Sequence, residues 1–271
     1  MIHAVTRCLP ALVLAATLSA CSATPPYEDP DNPTPVAQER ADQVSRTELD
    51  PQTTIMGIAD RAAGDPGDRP RILAMGDSMM AWHGAIGKSI PDVIAETLDA
   101  EVASHAVSGA RVIYRLPLTG AMGMNIGKQF RDGGWDWVVM NGGGNDLWLG
   151  CGCMLCDRKM DRLISKDGAT GAIPEMVARA RASNARVIYL GYLRSPGVGS
   201  PIEYCKDEGD ELDARLARMA EAMDGVYFLS MSDLVPFGDR SYHALDMIHP
   251  SIKASREIGQ RVAALMTELD S

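Results

Sequence analysis

The run Ile72-Leu73-Ala74-Met75 passes without alternation into Gly76-Asp77-Ser78-Met79-Met80. Consecutive apolar residues over a strand's length predict a strand buried on both faces, and such a strand demands a parallel sheet with helices above and below it. Gly76-Asp77 turns the chain at the C-terminal edge of that sheet, where open α/β folds bind their ligands, so Ser78 is expected to be exposed and rigidly held. Three later blocks share this placing. Gly109 follows Ala106-Val107-Ser108, Asn141-Gly142-Gly143-Gly144-Asn145-Asp146 follows Trp137-Val138-Val139-Met140, and Asp246-Met247-Ile248-His249 precedes the last helical stretch. Singly, each reads as an N-cap, a turn, a glycine loop or a surface pair. Together, at successive strand ends and before a helix, they predict one site.

The remaining chain predicts alternating helices and strands. Ser89-Ile90-Pro91-Asp92 has the form of a capping box opening a helix to about Asp99, with Val93, Ile94 and Leu98 inward. Strands are expected over 101–107, 137–140, 187–190 and 226–229. Helices are expected over 174–182, 210–223 and from about Ser251, where Ile258, Val262 and Leu265 form a stripe. A further short helix is expected over 48–63, and residues 111–124, which lack a period, are expected to form a loop with one helical turn. The expected fold is α/β, a three-layer sandwich around a central parallel sheet of about five strands.

Ester hydrolysis by serine requires a nucleophile, a base, a group that orients the base, and donors for the oxyanion. Ser78 is the candidate nucleophile and His249 the candidate base. Asp246, three residues before His249, is close enough for its carboxylate to reach Nδ1, fix the tautomer and leave Nε2 for the serine. Pro250 disfavours helical dihedrals at His249, so the last helix is expected to begin beyond the loop. The order Ser, Asp, His is that of α/β-hydrolases, but Gly76-Asp77-Ser78-Met79-Met80 lacks the second glycine of a Gly-x-Ser-x-Gly elbow.

The four blocks, in their order, instead resemble the SGNH subgroup of the GDSL-type esterases and lipases, over most of residues 70–268. That resemblance implies a flavodoxin-like strand order, hydrolysis through an acyl-enzyme, and no metal or organic cofactor. It assigns the oxyanion hole to the backbone N–H groups of Ser78 and Gly109 and the side-chain amide of Asn145. Asp77 and Asp146 are expected to brace their loops. Trp82 and Trp148, each shortly after a block, either line the substrate cleft or pack in the core. His105 is expected to be packed or hydrogen bonded, and His83 and His243 to lie at the surface.

The amino terminus predicts export. Arg7 precedes an apolar run from Leu9 to Leu18 that is short for a membrane span, so residues 1–20 read as a signal peptide. Leu18-Ser19-Ala20-Cys21 resembles a bacterial lipobox, which implies lipid on Cys21 and a membrane anchor; Ser22 points to the outer membrane, facing the periplasm. Residues 21–46, with Pro25, Pro26, Pro30, Pro33 and Pro35 among polar residues, form a flexible tether. Residues 47–271 are then the hydrolase domain, expected to be a monomer.

Lysine and arginine total 26 against 36 aspartates and glutamates, and removing residues 1–20 takes away one basic residue and no acidic one, leaving −11. That charge argues against nucleic acid as a partner. Beside Cys8 and Cys21 stand Cys151, Cys153, Cys156 and Cys205. In an exported protein these predict disulfides, in any of three pairings, ahead of a four-thiolate zinc site or a Cys-x-x-Cys redox pair. The expected substrate is a carboxylic ester at the cell envelope, either an O-acetyl glycan or a short-acyl or lipid ester. Acyl transfer on the same triad and non-catalytic envelope or glycan binding are the alternatives.

Overall fold

The structure, a computed structural model, describes residues 69–271. The signal peptide, Cys21, the tether and the helix expected over 48–63 lie outside these residues. Five strands, β1 (Arg71–Met75), β2 (Glu101–Ser104), β3 (Trp137–Met140), β4 (Arg186–Leu190) and β5 (Val226–Leu229), form one sheet in the order β2-β1-β3-β4-β5. Every pairing is parallel. This is the flavodoxin-like order, and its switch point falls between β1 and β3, where loops leaving in opposite directions open a crevice.

The helices are α1 (Ser78–Ala81), α2 (Ile90–Leu98), α3 (Pro117–Thr119), α4 (Gly144–Cys151), α5 (Asp157–Leu163), α6 (Ala172–Arg181), α7 (Lys206–Ala222) and α8 (Ile252–Asp270). They cover both faces of the sheet, which is why β1, β3 and β4 are apolar at successive positions. Leu73, Met75, Val138, Met140, Val187 and Tyr189 pack with Met160, Ile173, Val177, Leu212 and Leu216 of α5, α6 and α7. Ile72, Ala74, Trp137, Val139, Ile188 and Leu190 pack with Ile90 and Ile94 of α2 and Ile258, Val262 and Met266 of α8. A Cβ on Gly259 would lie 2.6 Å from the Val93 Cβ, so α8 meets α2 at a point with no room for a side chain.

Ser89 and Asp92 form the expected capping box, and Ser251 caps α8 through its bond from Ala254 N. The regular part of β2 stops at Ser104, short of the expected 107, although His105 N and Val107 N still donate to Ala74 and Gly76 carbonyls. α7 begins four residues earlier than expected, and α4 and α5 occupy stretches in which no helix was expected. α5 is tied to α7 by the buried Arg215, which donates to Asp161 and Glu211 at 2.7 Å and to Ile164 O at 2.8 Å.

The four cysteines pair as Cys151–Cys156 and Cys153–Cys205. The disulfide expectation holds, and the second bridge joins the loop after α4 to the residue before α7. Among the described residues no helix is long and apolar enough to cross a membrane.

Candidate active site

Four loops at the C-terminal edge of the sheet build the site. After β1, Gly76 adopts a φ of 149°, and a Cβ there would stand 1.8 Å from Asn141 Oδ1. Only glycine lets the β1 and β3 loops approach this closely. Gln129 fixes the same peptide, accepting from Gly76 N at 2.7 Å and donating to Gly76 O and Gly123 O at 2.8 Å. Asp77 is buried and caps α1, accepting from Met79 N at 3.0 Å, Asn141 Nδ2 at 2.9 Å and the Tyr192 hydroxyl. Burial pushes its carboxyl up despite these donors. Asp77 is therefore a brace, as expected. Ser78 follows as the first residue of α1, half-buried, and its N–H has no partner among the described residues.

The loop before α8 carries the second part. Asp246 Oδ2 lies 2.6 Å from His249 Nδ1, while Asp246 Oδ1 accepts from Ile248 N and His249 N at 3.0 Å. Desolvation pushes the Asp246 carboxyl up, but the hydrogen bonds from the imidazole and the two amides outweigh it and hold the group below its ordinary value. The turn requires Met247 at a φ of 58°, a left-handed conformation costly for methionine, and Ser200 Oγ secures it by donating to Met247 O at 2.7 Å. His249 Nε2 is left without a partner among the described residues, and no hydrogen bond joins it to Ser78 Oγ.

The β2 and β3 loops supply donors. Gly109 has a φ of 78° and an N–H without a partner among the described residues. Asn145, in the first turn of α4, donates from Nδ2 to Ala110 O at 3.1 Å, which uses one of its two amide hydrogens and ties it to the Gly109 turn. The buried Asp146 accepts from Val112 N and Ile113 N at 2.9 Å, bracing that loop as expected.

Desolvation raises the Asp146 carboxyl to about 6, outweighing the two amide bonds and the charges of Lys159 and Arg111. The sign follows from linkage: between its ordinary value near 3.8 and about 6 the folded protein holds a proton that the unfolded chain has released. Asp146 thus favours the folded state most below pH 4 and loses that contribution as the pH rises towards 6 and beyond. Urea unfolding across this window should show Asp146→Asn with a stability that falls less with rising pH than the parent's. Parallel curves would remove Asp146 from the pH dependence.

Ser78, Asn145 and His249 meet at a cavity of about 610 Å³. Its wall is mainly apolar, with Trp148, Leu193, Leu212, Val235 and Phe237, and also carries Arg194, Glu208 and Asp210. The Cys153–Cys205 bridge lies in this wall. Trp148 lines the cavity and donates from Nε1 to the Tyr204 hydroxyl at 3.1 Å. Trp82, expected either to line the cleft or to pack in the core, is not among the residues that line this cavity. Its indole stacks on His249 instead, with ring centroids 3.8 Å apart and planes within 5°. Gly109 and Asp246 are not among the residues that line the cavity.

His243, expected at the surface, is buried with both ring nitrogens unpartnered among the described residues. His83 is half-buried and donates from Nε2 to Pro250 O at 3.1 Å, while His105 is hydrogen bonded to Gln129 O at 2.8 Å. Gln129 and Tyr192 belong to the site's support but carry no local sequence signal, because each acts on residues far away in the chain.

A parallel sheet in this order, with a serine at the end of β1 and an Asp–His pair before the last helix, has the architecture of an SGNH hydrolase. The GDSL-like Lipase/Acylhydrolase family model matches residues 74–256, and the chain belongs to that family. It is an ester-hydrolysing enzyme. Among solved structures, a Slackia heliotrinireducens protein assigned to the SGNH hydrolases is 22% identical, with 73% of this chain and 100% of the other covered and a TM-score of 0.55. Est24, a carbohydrate acetylesterase from Sinorhizobium meliloti, is 13% identical, with 74% and 100% covered and a TM-score of 0.53. At these identities the likeness is one of fold. No curated protein matches the sequence.

Proposed function

We propose that the protein is a serine esterase working through an acyl-enzyme, with Ser78, Asp246 and His249 as its triad. The observation that carries this reading is the 2.6 Å contact between Asp246 Oδ2 and His249 Nδ1, which holds the imidazole beside the cavity that Ser78 enters. Ser78 Oγ attacks the ester carbonyl and its proton passes to His249 Nε2. The tetrahedral oxyanion is met by the N–H groups of Ser78 and Gly109 and by Asn145 Nδ2. His249 then protonates the leaving alcohol. Water, deprotonated by the same imidazole, attacks the acyl-enzyme and releases the acid and Ser78.

The substrate is a carboxylic ester with a short- to medium-length acyl group. The apolar wall next to Ser78 and a volume near 610 Å³ support an acyl chain longer than acetyl. An O-acetyl glycan, the substrate class named for Est24, is the second candidate. The envelope address belongs to the same proposal: signal peptide 1–20, lipid on Cys21, a tether over 21–46 and an outer-membrane anchor facing the periplasm. Two disulfides agree with an oxidising compartment.

A serine-directed alkyl phosphonate is expected to add one phosphonyl group, located by mass spectrometry on the peptide containing Ser78. Hydrolysis of p-nitrophenyl octanoate is expected to exceed that of the acetate by about tenfold in kcat/KM, as several buried methylenes allow. Labelling elsewhere, or none, would overturn the nucleophile. A preference for acetate would move the substrate to acetylated glycans.

A further inference from the structure

Trp82 closes α1 and donates its N–H to Ser78 O at 2.8 Å, so its ring is carried on the same short helix as the nucleophile. Its indole lies on the His249 imidazole with centroids 3.8 Å apart and planes within 5°. Two neutral aromatic rings avoid so direct a face-to-face arrangement, because their quadrupoles repel, and prefer offset or edge-on contacts. A cation over an indole face is attracted by that same quadrupole. The neighbouring residue strengthens the junction, since His83 holds Pro250 O at 3.1 Å, immediately after His249. One end of α1 therefore grips the loop before α8 at two consecutive residues.

We propose that Trp82 is a positioning residue for His249: it holds the imidazole plane with Nε2 towards Ser78 and favours the imidazolium that forms as the serine proton is taken up. This rests on the proposed triad. The stack is less favourable while the imidazole is neutral than when charge develops on it, so its effect belongs to the transition state and to kcat. A wall residue that merely touched substrate would act on KM.

The test compares Trp82→Leu, Trp82→Phe and Ser78→Ala on p-nitrophenyl esters, with folding checked by circular dichroism. Trp82→Leu is expected to lower kcat about tenfold with KM changed less than about twofold, and Trp82→Phe, which restores an aromatic face, to recover most of the loss. In proton NMR the indole ring current is expected to displace the His249 ring resonances upfield, and the displacement should vanish in Trp82→Leu. Folded Leu and Phe variants with equal kcat losses, an effect confined to KM, or an unchanged kcat in Trp82→Leu would each overturn the proposal. Activity surviving in Ser78→Ala would instead remove the triad reading beneath it, so the two failures are told apart.

Discussion

Ser78→Ala is expected to lower kcat/KM for p-nitrophenyl esters by about 10⁴-fold or more while leaving the unfolding transition within about 0.5 kcal/mol of the parent. The size follows from what the hydroxyl does. Without it there is no acyl-enzyme, and only the oxyanion donors and the cavity remain to assist direct attack by water. The fold should tolerate the change because the side chain makes no hydrogen bond among the described residues, and α1 is capped by Asp77 rather than by Ser78. The measurement is initial rate against ester concentration, with enzyme purified separately from the parent to exclude carry-over. A variant retaining a tenth of the activity would place the nucleophile elsewhere.

The second large effect concerns stability. Cys153→Ser or Cys205→Ser is expected to cost about 4 kcal/mol, as the chain-entropy model gives for a bridge at a sequence separation of 52. The Cys151–Cys156 bridge, at a separation of 5, is worth about 2 kcal/mol on the same reckoning. Equilibrium unfolding in urea, with and without a reductant, measures both. Activity should fall before the fold is lost, because Cys153 and Cys205 stand in the cavity wall and Cys153 lies just beyond the helix that carries Asn145. An unfolding midpoint that did not respond to reductant would mean that the thiols are not bridged.

The sheet was legible because a strand buried on both faces leaves an unmistakable run, as in Trp137-Val138-Val139-Met140, all buried. The short helices were not. Asp157–Leu163 buries only Met160 and Leu163, too few to establish a period, and α7 opens on Lys206-Asp207-Glu208, a polar turn that carries no hydrophobic signal. At the site, Asp246 and His249 could be paired from sequence because a loop of four residues brings them together. Asp77 and Asp146 were recognisable as braces by their place in the motifs. Gln129 and Tyr192 were not, since Gln129 reaches back 53 residues to Gly76 and Tyr192 reaches 115 to Asp77. The stacking of Trp82 on His249 was not legible either. Its contact lies across the whole domain, and a sequence read locally could not supply it.

The close meeting of α2 and α8 at Gly259 bears on how the enzyme comes into being. α8 is the last of the described elements and packs with α2 over the sheet face that includes Ile72 of β1, and the loop bearing Asp246 and His249 immediately precedes it. A nascent or truncated chain ending before this helix holds Ser78 but lacks the segment that docks its base. Hydrolytic competence therefore depends on the docking of α8. Damage confined to the carboxyl terminus would silence the enzyme even where the rest of the sheet had formed.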